Sequence, residues 1–406
     1  MKRLAIVSVV VWAAACGKET EPSSDEALLA AYRGAIPSEA QITAKDPQAT
    51  VRAVGDPAGW PRVAGPEAVQ INQAVLGIVR VMRAITNLQP TLFNSATKEF
   101  LWGPWANEDD YGTVAAYIKE LGVCKDTPAC AAAADCTAVP GCKEDFKYAY
   151  ALLRGRNNDL TTMKPVIWGA ATPDPTNEDN GVGVTLFDFE ANFAFADAND
   201  PDFATKVFDR GRFVSVYGAA DDAENPGARF GWVYAVFRNF IGKDKYAPGA
   251  DPQQAGSDVD YLYGHYRGAD GNVLDFLHFE VPLNIDNTAT AALETLSVKM
   301  AFLNTGWGRA EVGASGGDLV APAAYDETEC WSAALNRTYL AQVYTPETGA
   351  PIVGTPEGTE QGCGPDVGGG VMLFARPLAD LGIPTLDDVD QSMRAACESV
   401  AENGMQ

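Results

Sequence analysis

Short runs in which apolar and polar residues alternate, separated by clusters of Gly, Asp, Asn and Pro, recur through the middle of this 406-residue chain. In the run GVGVTLFDFEANFAFADAND, one predicted face carries the polar residues Asp188, Glu190 and Asn192. The other face carries Thr185, Phe187, Phe189, Phe193 and Phe195. A period of two gives a β-strand one dry side and one wet side. The sequence therefore predicts strands as its main element.

The arrangement of these runs predicts an antiparallel sheet, because no helix-length segment of the kind that connects parallel strands separates them. Similar runs are FKYAYALL, PVIWGA, RFVSVYG, RFGWVYAVFRNF, DVDYLYGHYRGADGNVLDFLHFEVPL, LETLSVKMAFLN and NRTYLAQVY. FGWVYAVFRNF is apolar on both faces, which is typical of a strand covered on two sides. We expect a mainly β fold with some helix (α+β). It is a meander of about eight to eleven strands, curved into a half-barrel, a barrel or a sandwich.

The clearest helical period in the chain lies in GPEAVQINQAVLGIVRVMRAITNLQP, where apolar residues recur at alternating spacings of four and three. These residues are Ile71, Val75, Ile78, Met82 and Ile85. Pro66 suits a first helical turn and Pro90 prevents the helix from continuing, so the pattern predicts an amphipathic helix over residues 66–89. We expect its apolar stripe to pack on the sheet. A second, short helix is predicted over residues 25–33.

The charge of the chain limits its partners. It carries 54 acidic and 30 basic residues, a formal net charge of −24. Such a surface repels nucleic acid and anionic lipid headgroups, so we expect no nucleic-acid partner. The chain also lacks the HExxH pattern and a phosphate-binding loop, and its GASGGD segment around Ser315 is better explained as a Gly-rich turn between strands than as a nucleophile loop, so no cofactor is predicted.

Four cysteines stand at equal six-residue intervals in one loop: Cys124, Cys130, Cys136 and Cys142. Zinc sites usually combine pairs two to four residues apart, often with histidine, and no histidine lies near this loop. We therefore expect two disulfides, with all three pairings open. Cys330 and Cys363 are candidates for a further disulfide, which leaves Cys397 as a buried, unreactive thiol in a C-terminal helix.

The first residues of the chain indicate export. Lys2 and Arg3 precede a largely apolar run of nine residues, Leu4 to Trp12, and three alanines then lead into Cys16. The apolar run is too short for a membrane-spanning helix and has the length of a signal-peptide core. The segment resembles the bacterial lipoprotein signal, which implies cleavage before Cys16, acylation of that cysteine and location at the outer membrane. The alternative is an ordinary secretory signal cut near Ala15.

The predicted organisation has four parts. Residues 1–15 form the signal peptide, and residues 16–64 form a lipidated tether with an irregular lead-in. Residues 65–345 form the helix and antiparallel β domain, and residues 346–406 form a Gly- and Pro-rich loop with a C-terminal helix. The architecture is similar to the periplasmic lipoprotein-carrier half-barrels. The order of an apolar helix, WGPW, a β-meander and a late ECW also resembles uncharacterised exported proteins of myxobacterium-like bacteria.

Few residues of the chain suggest a catalytic or metal-binding site. The only two histidines, His265 and His278, flank the hairpin signal RGADGN. A two-residue loop there would pair Tyr263 with His278 and place both histidines on one face, whereas an odd-length loop would place them on opposite faces. We expect structural histidines and no metal. The acidic loops DPTNEDNG and DANDPD offer oxygen ligands for Ca²⁺ or, alternatively, ordinary turns. Their candidate ligands are Asp174, Asp179, Asp197 and Asp202.

These observations together favour a noncatalytic protein tethered to the outer membrane by a lipid at Cys16. Its curved sheet would bind an apolar ligand or a partner peptide. The first alternative is a structural or adhesive envelope protein without a ligand, in which the aromatic residues are only core. The second is a hydrolase whose site has no recognisable spacing.

Overall fold

The structure is a computed structural model. It describes residues 24–48, 56–107, 112–121, 146–156, 158–221, 229–243, 247–248, 258–267, 272–283, 293–317, 319 and 324–386. The α-helices whose bounds it gives are α1 (Ser24–Arg33), α2 (Trp60–Asn87) and α3 (Phe189–Asn199). None of these helices combines the length and the apolar character that crossing a membrane requires.

Sixteen strands form one sheet in the described part of the chain, more than the eight to eleven predicted. The strands are β1 (Leu92–Asn94), β2 (Glu99–Asn107), β3 (Gly112–Glu120), β4 (Tyr148–Gly155), β5 (Lys164–Pro173), β6 (Gly181–Asp188), β7 (Arg210–Asp221), β8 (Arg229–Ile241), β9 (Val259–Arg267), β10 (Val273–Leu283), β11 (Glu294–Phe302), β12 (Gly308–Ser315), β13 (Ala324–Trp331), β14 (Arg337–Thr345), β15 (Ile352–Val353) and β16 (Glu357–Gly358). Several strands at the two ends of the meander are short or contain little alternation, which explains the low estimate.

The sheet follows the chain in order. Each strand from β1 to β15 pairs with the next, and β16 pairs with β14. Every pairing is antiparallel. The predicted mainly β fold with an antiparallel meander is therefore confirmed.

Both faces of the sheet are covered by other parts of the chain. On the face that we call the helix face, buried residues of α1 and α2 form one cluster with side chains such as Phe237 and Tyr263. On the opposite face, which we call the tail face, residues 363–386 pack against side chains such as Val236 and Leu262. Successive residues of β8 and β9 therefore belong alternately to the helix-face cluster and to the tail-face cluster. The apolar residues on both faces of the β8 sequence predict this arrangement.

Helix α2 begins at Trp60, six residues before the predicted start, so Pro66 lies inside the helix. A residue distant in sequence supplies the cap: the carboxylate of Glu329 on β13 accepts hydrogen bonds from the backbone N–H groups of Gly59 and Trp60. Pro61 occupies the first turn, where its missing N–H costs nothing. Sequence periodicity cannot detect a cap from a distant residue, so the predicted start was too late. The loss of one backbone hydrogen bond at Pro66 does not end the helix.

The predicted stripe of α2 is only partly the buried one. Ile71, Val75 and Met82 are almost fully buried, whereas Ile78 and Ile85 are half-buried at the edge of the cluster. Val79, which the predicted stripe omitted, is 1 % exposed. The buried face is therefore rotated slightly from the predicted one.

The structure corrects the strand prediction for residues 189–199, which form α3. Asp188 caps this helix by accepting a hydrogen bond from the backbone N–H of Ala191 at 2.8 Å. Phe189 and Phe193 are four residues apart, a spacing that fits one face of a helix as well as one face of a strand. The alternating aromatic residues alone could not distinguish the two.

The β9–β10 hairpin also differs from the predicted register. Tyr263 pairs with Leu277 and His265 pairs with Asp275, with five residues between Arg267 and Val273. This odd loop length places the two histidines on opposite faces, the alternative that the sequence left open.

Residues outside the predicted β domain also contribute to its core. Tyr32 and Ile42, in the predicted tether and lead-in, belong to the helix-face cluster. Phe374 and Leu381, in the predicted C-terminal segment, belong to the tail-face cluster. Residues before 24 and after 386, including the predicted signal peptide and most of the C-terminal helix, lie outside the described residues.

Candidate functional site

A pocket of about 380 Å³ lies between α2, α3 and strands β2 to β6. Its volume falls within the range of about 300–1,000 Å³ that is typical of small-molecule sites. Most of its wall is apolar, and helix and sheet side chains both contribute to it. We treat it as the candidate functional site.

The apolar wall follows from two regular spacings. Ile78, Val81 and Ile85 are three and four residues apart, so they lie along one side of α2 beside its buried stripe. On the sheet, Leu152 of β4 pairs with Ile167 of β5, and Ile167 pairs with Phe187 of β6. Side chains on directly opposed residues point to the same face, so they form a continuous apolar floor.

One end of the pocket is polar. Arg154 follows Leu152 by two residues on β4, so its side chain points to the same face of the sheet. The residue is only 6 % exposed. Its Nη1 donates a hydrogen bond to Oδ1 of Asn192 on α3, and its guanidinium lies 4.5 Å from the centre of the Phe195 ring. A cation over an aromatic face is a favourable arrangement in a site with little water.

Asp188 also lines this end of the pocket. Its Oδ1 accepts the backbone N–H of Ala191 at the start of α3, and its Oδ2 lies 3.5 Å from Nε of Arg212. The carboxylate is therefore held by the N-terminus of a helix and by a more exposed arginine. The polar end thus combines a guanidinium, an amide and a neutralised carboxylate.

A second groove, of about 780 Å³, runs between α1, the end of α2 and residues 173–178. It is more polar than the first pocket, and its charged groups already stabilise the fold. Arg33 donates hydrogen bonds to the backbone carbonyls of Thr86, Asn87 and Leu88, the last of which directly follows α2. A cation at a helix C-terminus satisfies carbonyl groups that have no partner within the helix.

The predicted Ca²⁺ ligands lie in turns and helices. Oδ1 of Asp174 accepts hydrogen bonds from the backbone and the hydroxyl of Thr176, and the backbone N–H of Asp179 donates to Asn177. Asp197 lies in α3, and the backbone N–H of Asp202 donates to the side chain of Asp200. Within the ranges that the structure describes, no three His, Cys, Asp or Glu side chains form a group that could hold a metal ion. The hydrogen bonds of Asp174 and Asp179 are those of ordinary turns.

Of the predicted cysteine sites, Cys330 and Cys363 form a disulfide with their Cα atoms 5.2 Å apart. It joins β13 to the segment that covers the tail face, and both residues are fully buried. The predicted lipidation site Cys16 and the free thiol Cys397 lie outside the described residues. So do the other four disulfide candidates, Cys124, Cys130, Cys136 and Cys142.

The two histidines occupy different buried environments. Burial, together with the nearby charge of Lys45, lowers the pKa of His265 to about 4. Lys45 also forms an ion pair with Asp275, which lies opposite His265 in the hairpin, at 3.6 Å. Burial also lowers the pKa of His278, and the neighbouring Glu280 offsets only part of this decrease.

Ser297, His278 and Glu280 lie together on β10 and β11. Nε2 of His278 is 3.0 Å from the hydroxyl of Ser297 and 3.3 Å from Oε1 of Glu280. The Ser297 hydroxyl donates to that same carboxylate. In a serine triad the carboxylate binds Nδ1 of the histidine while the serine binds Nε2, so this arrangement differs from a triad.

Sequence reasoning did not select any residue of the pocket as a ligand contact. Arg154 offered the one available signal. It lies two residues after Leu152, at a position of β4 where the alternation calls for an apolar side chain. A charged residue on the dry face of a predicted strand is therefore a candidate ligand contact.

Comparison of the chain with protein-family models, with curated proteins and with solved structures found no match.

Proposed function

We propose that this chain is a lipoprotein of the bacterial outer membrane, anchored through Cys16, that binds an apolar molecule in the pocket between α2, α3 and strands β2 to β6. The observation that carries the binding function is the largely apolar lining of a pocket of about 380 Å³. Pockets of this size and character are typical of small-molecule sites. No catalytic step is part of the proposal.

A curved sheet, of the half-barrel type, supports this function because it would enclose α2 on its concave side. The first residue of α2 contacts β13 through Glu329, and the carbonyl of Leu88, just after its last residue, accepts a hydrogen bond from Trp102 of β2. These strands are eleven steps apart, about 53 Å in a flat sheet. A helix of 28 residues is about 42 Å long. Curvature brings both strands within reach of one helix more readily than a flat sheet does.

A neutral fluorescent probe, N-phenyl-1-naphthylamine, tests the binding function. We expect saturable binding to the full chain. Ile85→Trp places a large ring at the pocket wall and should weaken binding at least about tenfold, which corresponds to 1.4 kcal/mol. Val69→Trp, on the exposed side of α2, is the matched control and should bind the probe as the native chain does. Absence of saturable binding, or equal loss in both variants, would contradict the proposal and favour a structural envelope protein without a ligand.

The lipid anchor needs its own test. Membrane-fractionated protein should begin at an acylated Cys16, which mass spectrometry of the N-terminal peptide detects. The Cys16→Ser variant should leave the membrane fraction. Native protein with an unmodified N-terminus in the soluble fraction would contradict the anchor without affecting the pocket.

A further inference from the structure

The charged groups at the polar end of the pocket have partners within the protein. Arg154 donates a hydrogen bond to Oδ1 of Asn192, and its guanidinium lies over the ring of Phe195. Asp188 accepts a backbone N–H at the start of α3 and lies 3.5 Å from Nε of Arg212. A ligand with a net charge would therefore enter a pocket in which charges of both signs are already bound.

Apolar side chains surround this polar end. Val114 pairs with Arg154 across β3 and β4, and Trp105 pairs with Val114 across β2 and β3, so all three point to the same face of the sheet. Val114, Trp105 and Leu152 also line the pocket. Moving an ionised group from water into apolar surroundings costs free energy unless a counter-charge is available to it. The pocket therefore favours an uncharged ligand.

The side-chain amide of Asn192 offers such a ligand hydrogen-bond donors. An arginine can only donate, so its bond to Asn192 holds the amide oxygen towards Arg154 and directs the NH2 group away from it. Asn192 lines the pocket, and in the part of the chain that the structure describes no acceptor is bound to this NH2 group. A carbonyl oxygen complements it without needing an acceptor in return. A hydroxyl would need one, and the carboxylate of Asp188 is already bound.

We infer that the ligand is an uncharged apolar molecule with a carbonyl oxygen, and that this oxygen accepts a hydrogen bond from the side-chain amide of Asn192. This inference rests on the proposed function, since it names the class of ligand for the same pocket. Asn192 selects the acceptor, and Arg154 is a positioning residue that orients the amide. The floor formed by Leu152, Ile167 and Phe187 supplies affinity for the apolar body of the ligand.

Four probes that share one ring system separate these requirements: naphthalene, 2-acetylnaphthalene, 2-naphthoate and 2-naphthylmethylammonium. Their binding to the full chain is measured by equilibrium dialysis near neutral pH, where the last two are ionised. The ketone should bind at least about threefold more tightly than naphthalene, which corresponds to about 0.7 kcal/mol. Both ions should bind at least about tenfold more weakly than the ketone. A pocket without a donor for the ligand predicts the reverse order for the first pair, because a carbonyl group is costlier to remove from water.

Asn192→Asp keeps an oxygen for Arg154 and removes the NH2 donors. It should abolish the preference for the ketone while leaving the affinity for naphthalene within about threefold of native. Ala194→Asp adds the same charge at an exposed position of α3 and is the matched control, which should keep the preference. If Asn192→Asp does not fold, the comparison of the ketone with naphthalene in the native chain decides the inference.

The outcomes distinguish this inference from the proposed function. If naphthalene or either ion binds the native chain as tightly as the ketone does, the inference is overturned and ligand binding in the pocket remains. Absence of binding by every probe would overturn both. A ketone preference that survives in Asn192→Asp, or that is also lost in Ala194→Asp, would overturn the assignment of the hydrogen bond to Asn192.

Discussion

Glu329 on β13 accepts a hydrogen bond from the backbone N–H of Trp60, the first residue of α2, at 3.0 Å. The same carboxylate accepts the N–H of Gly59 and the Nε–H of Arg337. Glu329 is 1 % exposed. One buried carboxylate thus caps the main helix and connects it to a strand about 270 residues further along the chain.

We predict that Glu329→Gln destabilises the fold by about 2–4 kcal/mol, because charge-assisted bonds are lost and buried donors are left with a weaker partner. Chemical unfolding followed by circular dichroism measures this change. Glu357→Gln removes the second, more exposed carboxylate bound to Arg337 and is the control. An equally small effect of both substitutions would show that the cap contributes little.

The buried side of α2 gives a second prediction. Ile71→Ala removes side-chain volume from a residue that is 0 % exposed and should reduce the free energy of unfolding by about 2–5 kcal/mol, because a cavity replaces the lost atoms. Val69→Ala changes a residue of the same helix that is 55 % exposed, and little change is expected. If the two variants unfold alike, α2 is not packed as the structure describes.

The Cys330–Cys363 disulfide closes a loop with a sequence separation of 33 residues. Constraining a loop of this length in the unfolded chain stabilises the folded state by roughly 2–4 kcal/mol. The double variant Cys330→Ala, Cys363→Ala should lose about that amount without reductant present. Peptide mapping without reduction must first recover the two cysteines in one linked fragment, and their recovery as separate thiols would refute the bond itself.

His265 predicts a dependence of stability on pH. Its pKa is lowered to about 4 in the folded chain, so between about pH 6.5 and pH 4 the unfolded chain binds a proton that the folded chain does not. Stability is therefore complete above the unfolded pKa and is lost as the pH falls towards the folded pKa. Burial raises the pKa of the neighbouring Asp275, which favours its protonated form in the folded chain and opposes part of this loss.

His265→Gln should reduce the loss of stability between about pH 7 and pH 5, relative to the native chain. Urea unfolding at the two pH values gives the comparison. The other histidine, His278, also has a lowered pKa, so changing both residues should flatten the profile further. An unchanged profile in the double variant would assign the acid sensitivity to carboxylates.

The sequence predicted the strands of the sheet more accurately than the start of α2, the register of the β9–β10 hairpin and the helix α3. Alternation along β7 to β11 depends on local burial, so it is visible without any tertiary information. The start of α2 depends on Glu329, and the register of the β9–β10 hairpin depends on loop geometry, so neither follows from periodicity. The spacing of Phe189 and Phe193 fits one face of a helix as well as one face of a strand. The cap that Asp188 provides favours the helix.

The pocket could not be predicted because it is made by packing. Its walls come from α2, α3 and five strands, and no local pattern states which edge of α2 remains half-buried. Ile78 and Ile85 belonged to the predicted stripe, yet they lie at the edge of the cluster and line the pocket. Arg154 could be recognised in the sequence as a charged residue at an apolar position of a strand. The residues that surround it in the pocket could not be recognised in this way.

The two covering layers come from opposite ends of the described chain, and this order affects how the protein is made. Residues 24–88 emerge from the ribosome before the sheet and can cover the helix face as strands form. The tail face, with Tyr234 and Val236, stays uncovered until residues 363–386 have been synthesised. Nascent chains therefore expose an apolar sheet surface until late in translation, a state prone to aggregation. A stop codon introduced before residue 363 should yield insoluble protein or protein bound to chaperones, even though every strand would be present.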